Sequence, residues 1–144
     1  RKGIVPNRSA AFESILSSKS KYYISEHTLN TAEAVRLIRQ AGGVPIMAHP
    51  LTDFPGKDPG DLPKAEFLAL IEAGIAGFEV DHRMVPEMPR TWLRELAFER
   101  DLIVTGSSDY HGVGGKDNRL GENSTSPEML EKIIEQATGY EPLL

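Results

Sequence analysis

The sequence predicts an α/β fold made of parallel βα units, and three observations carry that prediction. The runs at 43–48, 75–80 and 102–105 are short and apolar but for Glu79 and Thr105, as strands buried on both faces are. Between and after them lie segments of helical length with apolar residues three and four apart. Each run also stops at polar residues: His49-Pro50, the stretch Glu79 to His82, and Ser107 to Gly112. In parallel βα folds, such strand ends are where sites are built.

The elements come in this order. Segment 7–18 carries Ala11, Phe12, Ile15 and Leu16 at helical spacing, and Tyr22-Tyr23-Ile24 reads as a short extended piece. Asn30 to Glu33 has the form of a capping box that opens a helix with Ala34, Val35, Ile38 and Ala41 on one face. Gly42-Gly43 stops it, and the first strand begins. Residues 52–63 are rich in Pro, Gly and Asp and read as a loop. A helix over 64–73, closed by Gly74, leads to the second strand. A helix over 86–100 turns Trp92, Leu93, Leu96 and Ala97 inward before the third strand. A glycine-rich loop at 112–123 precedes the last helix, 127–138, with Leu130, Ile133, Ile134 and Ala137 inward and Gly139 as its stop. There is no internal repeat.

Composition bounds the function. At 144 residues, 40% hydrophobic and 26% charged, the chain fits one ordinary domain with a real core. A net charge of -5 argues against the basic surface of a duplex-binding protein. A small phosphate ester in a metal pocket is compatible with it, because bound cations dominate the local field. With no cysteine, disulfides and thiolate metal sites are excluded, and His, Asp and Glu are left as metal ligands. No run is long enough to span a bilayer, and Arg1-Lys2-Gly3 precedes no apolar signal region. The expectation is a cytoplasmic protein with no membrane partner. The missing initiator methionine reads as processing or truncation.

Asp109 and His111, two apart in extended chain, point the same way. That is how a strand end delivers two metal ligands into one pocket, although an aspartate after Ser-Ser also suits turn chemistry. His49 ends the first strand as a third candidate ligand, or as a histidine locked before a proline. Glu79 and Asp81 share one side of their strand by the two-residue period. They suit groups that orient a metal-bound imidazole or contact substrate, or else a solvated strand end. His82, at the strand exit, suits a substrate contact or a proton donor, against an ordinary loop histidine. Lys116 and Arg119 suit a phosphate, or are ordinary solvent cations. Gly112-Val113-Gly114-Gly115 lacks the spacing of a Walker loop. Arg8 belongs to a surface helix that would cap the pocket in a larger enzyme, and Trp92 belongs to the core.

Three segments carry a family resemblance: Ala41-Gly42-Gly43-Val44-Pro45-Ile46-Met47-Ala48-His49-Pro50, Gly77-Phe78-Glu79-Val80, and Thr105-Gly106-Ser107-Ser108-Asp109-Tyr110-His111-Gly112. They resemble the polymerase and histidinol phosphatase (PHP) superfamily over roughly residues 30 to 140. The branch they look most like is the stand-alone phosphoesterases acting on nucleotides and short oligonucleotides. The resemblance implies a distorted (β/α)₇ barrel holding two or three divalent ions, usually zinc, manganese or iron. It implies that His49 matches the late histidine ligand, and that Asp109 and His111 match the Asp-x-His ligands. The family's opening His-x-His motif has no counterpart here, since the first histidine is His27. Residues 1–30 are similar to the end of a helical insertion, and 31–144 to the C-terminal βα units of the barrel. The expectation is a C-terminal portion that is inactive alone, holds no metal by itself and self-associates through open strand edges. Two other readings stay open: a metal-dependent amidohydrolase-type barrel, and a non-catalytic binding domain.

Overall fold

The computed structural model describes residues 3–52, 54, 56, 58–113 and 115–139. Three parallel strands, β1 (Ile46–Met47), β2 (Gly77–Asp81) and β3 (Ile103–Gly106), lie in the order β1-β2-β3. Two helices, α1 (Arg8–Glu13) and α2 (Thr31–Gln40), precede the sheet. Helix α3 (Lys64–Glu72) connects β1 to β2, α4 (Glu87–Glu99) connects β2 to β3, and α5 (Pro127–Gln136) comes last. The predicted alternation of strand and helix is therefore observed. Among the described residues the sheet is open and does not close into a barrel.

In register, Met47 lies beside Phe78 and Phe78 beside Val104, so these residues share one face. That face, with Val80, meets Val35, Phe67, Ile75, Leu93 and Leu96 in one core. Phe67 of α3 links the layers, 5.3 Å from the Phe78 ring and 5.0 Å, edge-on, from Trp92 of α4. Trp92 is only partly buried, at the margin of the core where the sequence places it.

Helices α2, α3 and α4 all end in the same turn. The residue after each cap is left-handed: Gly42 (φ 80°), Gly74 (φ 101°) and Asp101 (φ 50°). The next amide reaches back to close it, Gly43 to Ile38, Ile75 to Leu70 and Leu102 to Ala97, at 2.8–3.0 Å.

Several expectations are corrected. Helix α1 stops at Glu13 rather than 18, because Ser14, Ser17 and Ser20 make local bonds that compete with the helix. Phe12 and Leu16 stay exposed. Of the short extended piece expected at Tyr22-Tyr23-Ile24, Tyr22 lies in a turn and Tyr23 and Ile24 belong to no helix or strand. Asn30 caps α2 through the Ala32 N–H at 2.9 Å, and of the four expected inward residues only Val35 is buried. The first strand is two residues long, not six. A 3-10 turn at Pro59–Asp61 lies within the predicted loop. Helix α5 buries no residue and ends at Gln136, with Ala137 leaving it extended, so Gly139 is not its stop.

The largest correction is a bulge. Glu79 pairs with Thr105 but Asp81 pairs with Gly106, leaving Val80 as an extra residue. The bulge breaks the two-residue period, so Glu79 and Asp81 no longer share a neighbourhood. Glu79 is buried among the strand exits, whereas Asp81 pairs with Arg94 of α4. The Arg8 side chain, Asp53, Pro55 and Lys57 of the 52–63 loop, Gly114 of the glycine-rich loop, and 140–144 lie outside the described residues.

Candidate functional site

All three strands are parallel, so their carboxyl ends lie along one edge of the sheet. His49 comes after β1, His82 after β2, and Ser107 to His111 after β3. His49 (φ 30°) and Asp109 (φ 50°) are two of the four non-glycine residues with left-handed backbone among those described. That conformation is costly and persists where the surroundings hold it.

The holding groups are specific. Glu79, 7% exposed on the central strand, accepts the His49 N–H through Oε2 at 2.8 Å. Its Oε1 accepts the Ser107 hydroxyl. One buried carboxylate thus ties the exits of β1 and β3 to β2. Ser107 in turn accepts the Asp109 N–H at 3.3 Å, and Asn118 donates to the Ser108 carbonyl at 2.7 Å. Arg83 clamps the same loop, reaching the Asp117 carbonyl and, at 3.2 Å, Asn118 Oδ1.

His82 sits between the two exits. Its ring centroid is 4.7 Å from that of His49, and its Nε2 is 3.6 Å from Asp109 Oδ2. The Nδ1 side accepts the Met84 N–H at 3.2 Å. The Asp109 carboxylate also takes Lys116 Nζ on Oδ2 and has His111 Nδ1 3.4 Å from Oδ1. The hydrogen bond from Lys116 holds the Asp109 carboxyl below its ordinary value. Burial opposes that shift, while the charges of Lys116 and His111 and a contact from His82 add to it.

Of the residues singled out from sequence, His49, Glu79, His82, Asp109, His111 and Lys116 form one continuous set of contacts. Arg119 bonds Glu122 through its backbone N–H at 3.1 Å, in the same loop. Imidazole and carboxylate are suitable donors for a divalent ion. Among the described residues, however, no group of three or more is placed to hold one. From sequence, Ser107 stands in the strand-end segment without a role of its own, and Asn118 and Arg83 are not singled out. The signal for Ser107 was its place two residues past Thr105, on the strand exit beside Asp109.

In parallel α/β folds sites lie at the carboxyl ends of the strands, and there this chain gathers its histidines and carboxylates. The chain is similar to one protein described as a phosphodiesterase and to another described as a metal-dependent phosphoesterase. It is 32% identical over 94 residues to the phosphoribosyl 1,2-cyclic phosphate 1,2-diphosphodiesterase of Eggerthella lenta, covering 65% of this chain and 32% of that protein. It is 38% identical, with a TM-score of 0.82, to a solved protein of Bifidobacterium adolescentis provisionally described as a metal-dependent phosphoesterase. That match covers 94% of this chain and 46% of the other. The chain therefore spans between about a third and a half of these relatives. No family model matches it.

Proposed function

We propose that the chain is the later part of a divalent-metal phosphoesterase of the PHP superfamily. Its substrates would be phosphate esters of nucleotides or short oligonucleotides. The observation that carries this reading is the linkage of His49 to Asp109, from separate strand ends, through His82 and Glu79. In it His49, Asp109 and His111 are ligands for zinc, manganese or iron, and Lys116 and Arg119 contact the phosphate. Strands β1 to β3 form an arc of a distorted (β/α)₇ barrel, with 1–30 as the end of a helical insertion. The setting is the cytoplasm.

Bound divalent ions supply charge neutralisation of the phosphate and acidification of water. The chain's own residues do the placing. Glu79 fixes the His49 backbone, and Ser107 and Asn118 fix Asp109. A catalytic zinc takes about three protein ligands, more than the described residues bring to one point. The remaining ligands are therefore assigned to further chain, and this chain alone turns over little or nothing. The outer edge of β1 has no strand partner among the described residues and then favours self-association, whereas the outer edge of β3 bonds Thr125 and Met129.

The test compares hydrolysis of a nucleotide monophosphate and a short oligonucleotide, with Mn²⁺, by two samples. One is this chain alone, and the other is this chain mixed with the N-terminal half of the Bifidobacterium relative. Turnover only in the mixture, abolished by Asp109→Ala, is the expected result. Turnover by the chain alone that survives Asp109→Ala would overturn the site. A complex with no turnover would favour a non-catalytic module.

A further inference from the structure

His82 is 3% exposed, and its Nε2 is a buried polar atom with no hydrogen-bond partner. Buried polar atoms are seldom left so, and each one asks for an explanation. The other nitrogen says what Nε2 carries. Nδ1 accepts the Met84 N–H at 3.2 Å and so bears a lone pair, which puts the proton of the neutral ring on Nε2. A histidine that binds metal through one nitrogen normally donates from the other. His82 does the reverse: its outer nitrogen receives. The Nε2–H therefore has no lone pair for an ion, but it can donate, and Asp109 Oδ2 lies 3.6 Å away.

We propose that His82 is a positioning residue whose Nε2–H orients the Asp109 carboxylate while its ring braces His49. The inference rests on the metal-site reading above. Lys116 and His82 both approach Oδ2, which leaves Oδ1, beside His111, as the oxygen presented to an ion. His82 would thus hold the ligands of β1 and β3 in one relative placement without joining the donor set.

The tautomer is tested directly by two-bond ¹⁵N–¹H correlation of the His82 imidazole in the metal-free chain. A protonated Nε2 is expected, and a protonated Nδ1 with bare Nε2 overturns the proposal. Mn²⁺ affinity supplies the second readout. His82→Phe keeps a ring without a donor, and His82→Gln keeps an N–H near the position of Nε2. Phe should weaken Mn²⁺ binding by about tenfold. Gln should stay within about threefold of wild type. Equal losses in both variants would reduce His82 to packing and overturn the proposal. If the wild-type chain alone takes up too little Mn²⁺ to measure, as its partial ligand set predicts, a double-mutant cycle decides His82 instead. The Tm loss from His82→Phe should then fall in an Asp109→Ala background, which removes the acceptor, and strict additivity would count against the contact.

Discussion

Glu79 accepts the backbone N–H of His49 at 2.8 Å, across the seam between the central strand and the exit of β1. Its other oxygen takes the Ser107 hydroxyl, so one buried side chain satisfies donors from two neighbouring segments. Glu79→Ala leaves the half-buried His49 N–H unpaired and the exposed Ser107 hydroxyl to water, and about 1–3 kcal/mol of stability should be lost. In Glu79→Gln the amide oxygen can still accept from His49, and the Ser107 hydroxyl can rotate to accept from the amide nitrogen. That variant should lose only about 1 kcal/mol. Urea denaturation of both checks the order. Equal losses would mean that the charge, not the pairing, holds the strand exits.

Much of this arrangement is legible in the sequence. The three apolar runs and the glycines after α2 and α3 mark the βα units, because burial and left-handed turns each restrict residue type strongly. The strand-end polar residues are then placed by topology. The bulge at Val80 is not legible, since an extra residue in a strand leaves the composition unchanged. It separates Asp81 from Glu79 and hands Asp81 to Arg94. The exposure of Ile38 and Leu130 is equally hidden: periodicity shows that a helix has an apolar face, not that anything covers it. Asp101 occupies a turn that glycine fills after α2 and α3, so its helix end carries no signal of its own.

Close approach of β2 and β3 at Gly77 gives a second test. A Cβ built there would lie 2.1 Å from the Ile103 carbonyl oxygen and 2.8 Å from the Ile103 Cβ. Backbone cannot rotate away as a side chain can, so Gly77→Ala must separate the strands. A loss of about 2 kcal/mol or more is expected in thermal or urea unfolding. Gly60 is the control, because a Cβ there meets nothing within 4 Å. Gly60→Ala should be neutral or stabilise by about 0.5 kcal/mol. A neutral Gly77→Ala would contradict the strand register.

The glycines that end α2 and α3 should not be equivalent. Both are left-handed, so alanine at either costs about 1 kcal/mol of backbone strain. At Gly74 the added Cβ meets only Arg39, at 3.6 Å. At Gly42 it would lie 2.7 Å from the Gly139 amide nitrogen, where the chain after α5 returns and Thr138 donates to the Gly42 carbonyl at 3.0 Å. Gly42→Ala should therefore cost roughly 1–3 kcal/mol more than Gly74→Ala. Comparing their melting curves tests whether the C-terminal segment packs on the end of α2; equal losses would place it elsewhere.

The ion pair between Lys116 and Asp109 makes stability depend on pH in a defined direction. Lys116 holds the Asp109 carboxyl below its ordinary value of 3.8. A depressed carboxyl contributes stability that is fully present above the unfolded-chain value, about 3.9, and is lost as pH falls through the lower folded value. Lys116→Met should then be less stable than wild type by a constant amount between about pH 7 and pH 5. The gap should be under about 1 kcal/mol, because the lysine is partly solvated. It should close toward about pH 3 and below as Asp109 takes up its proton in both proteins. Urea midpoints in chelator at several pH values measure it. A gap that persists undiminished at the lowest pH would show that Lys116 stabilises the loop by packing rather than through the Asp109 charge.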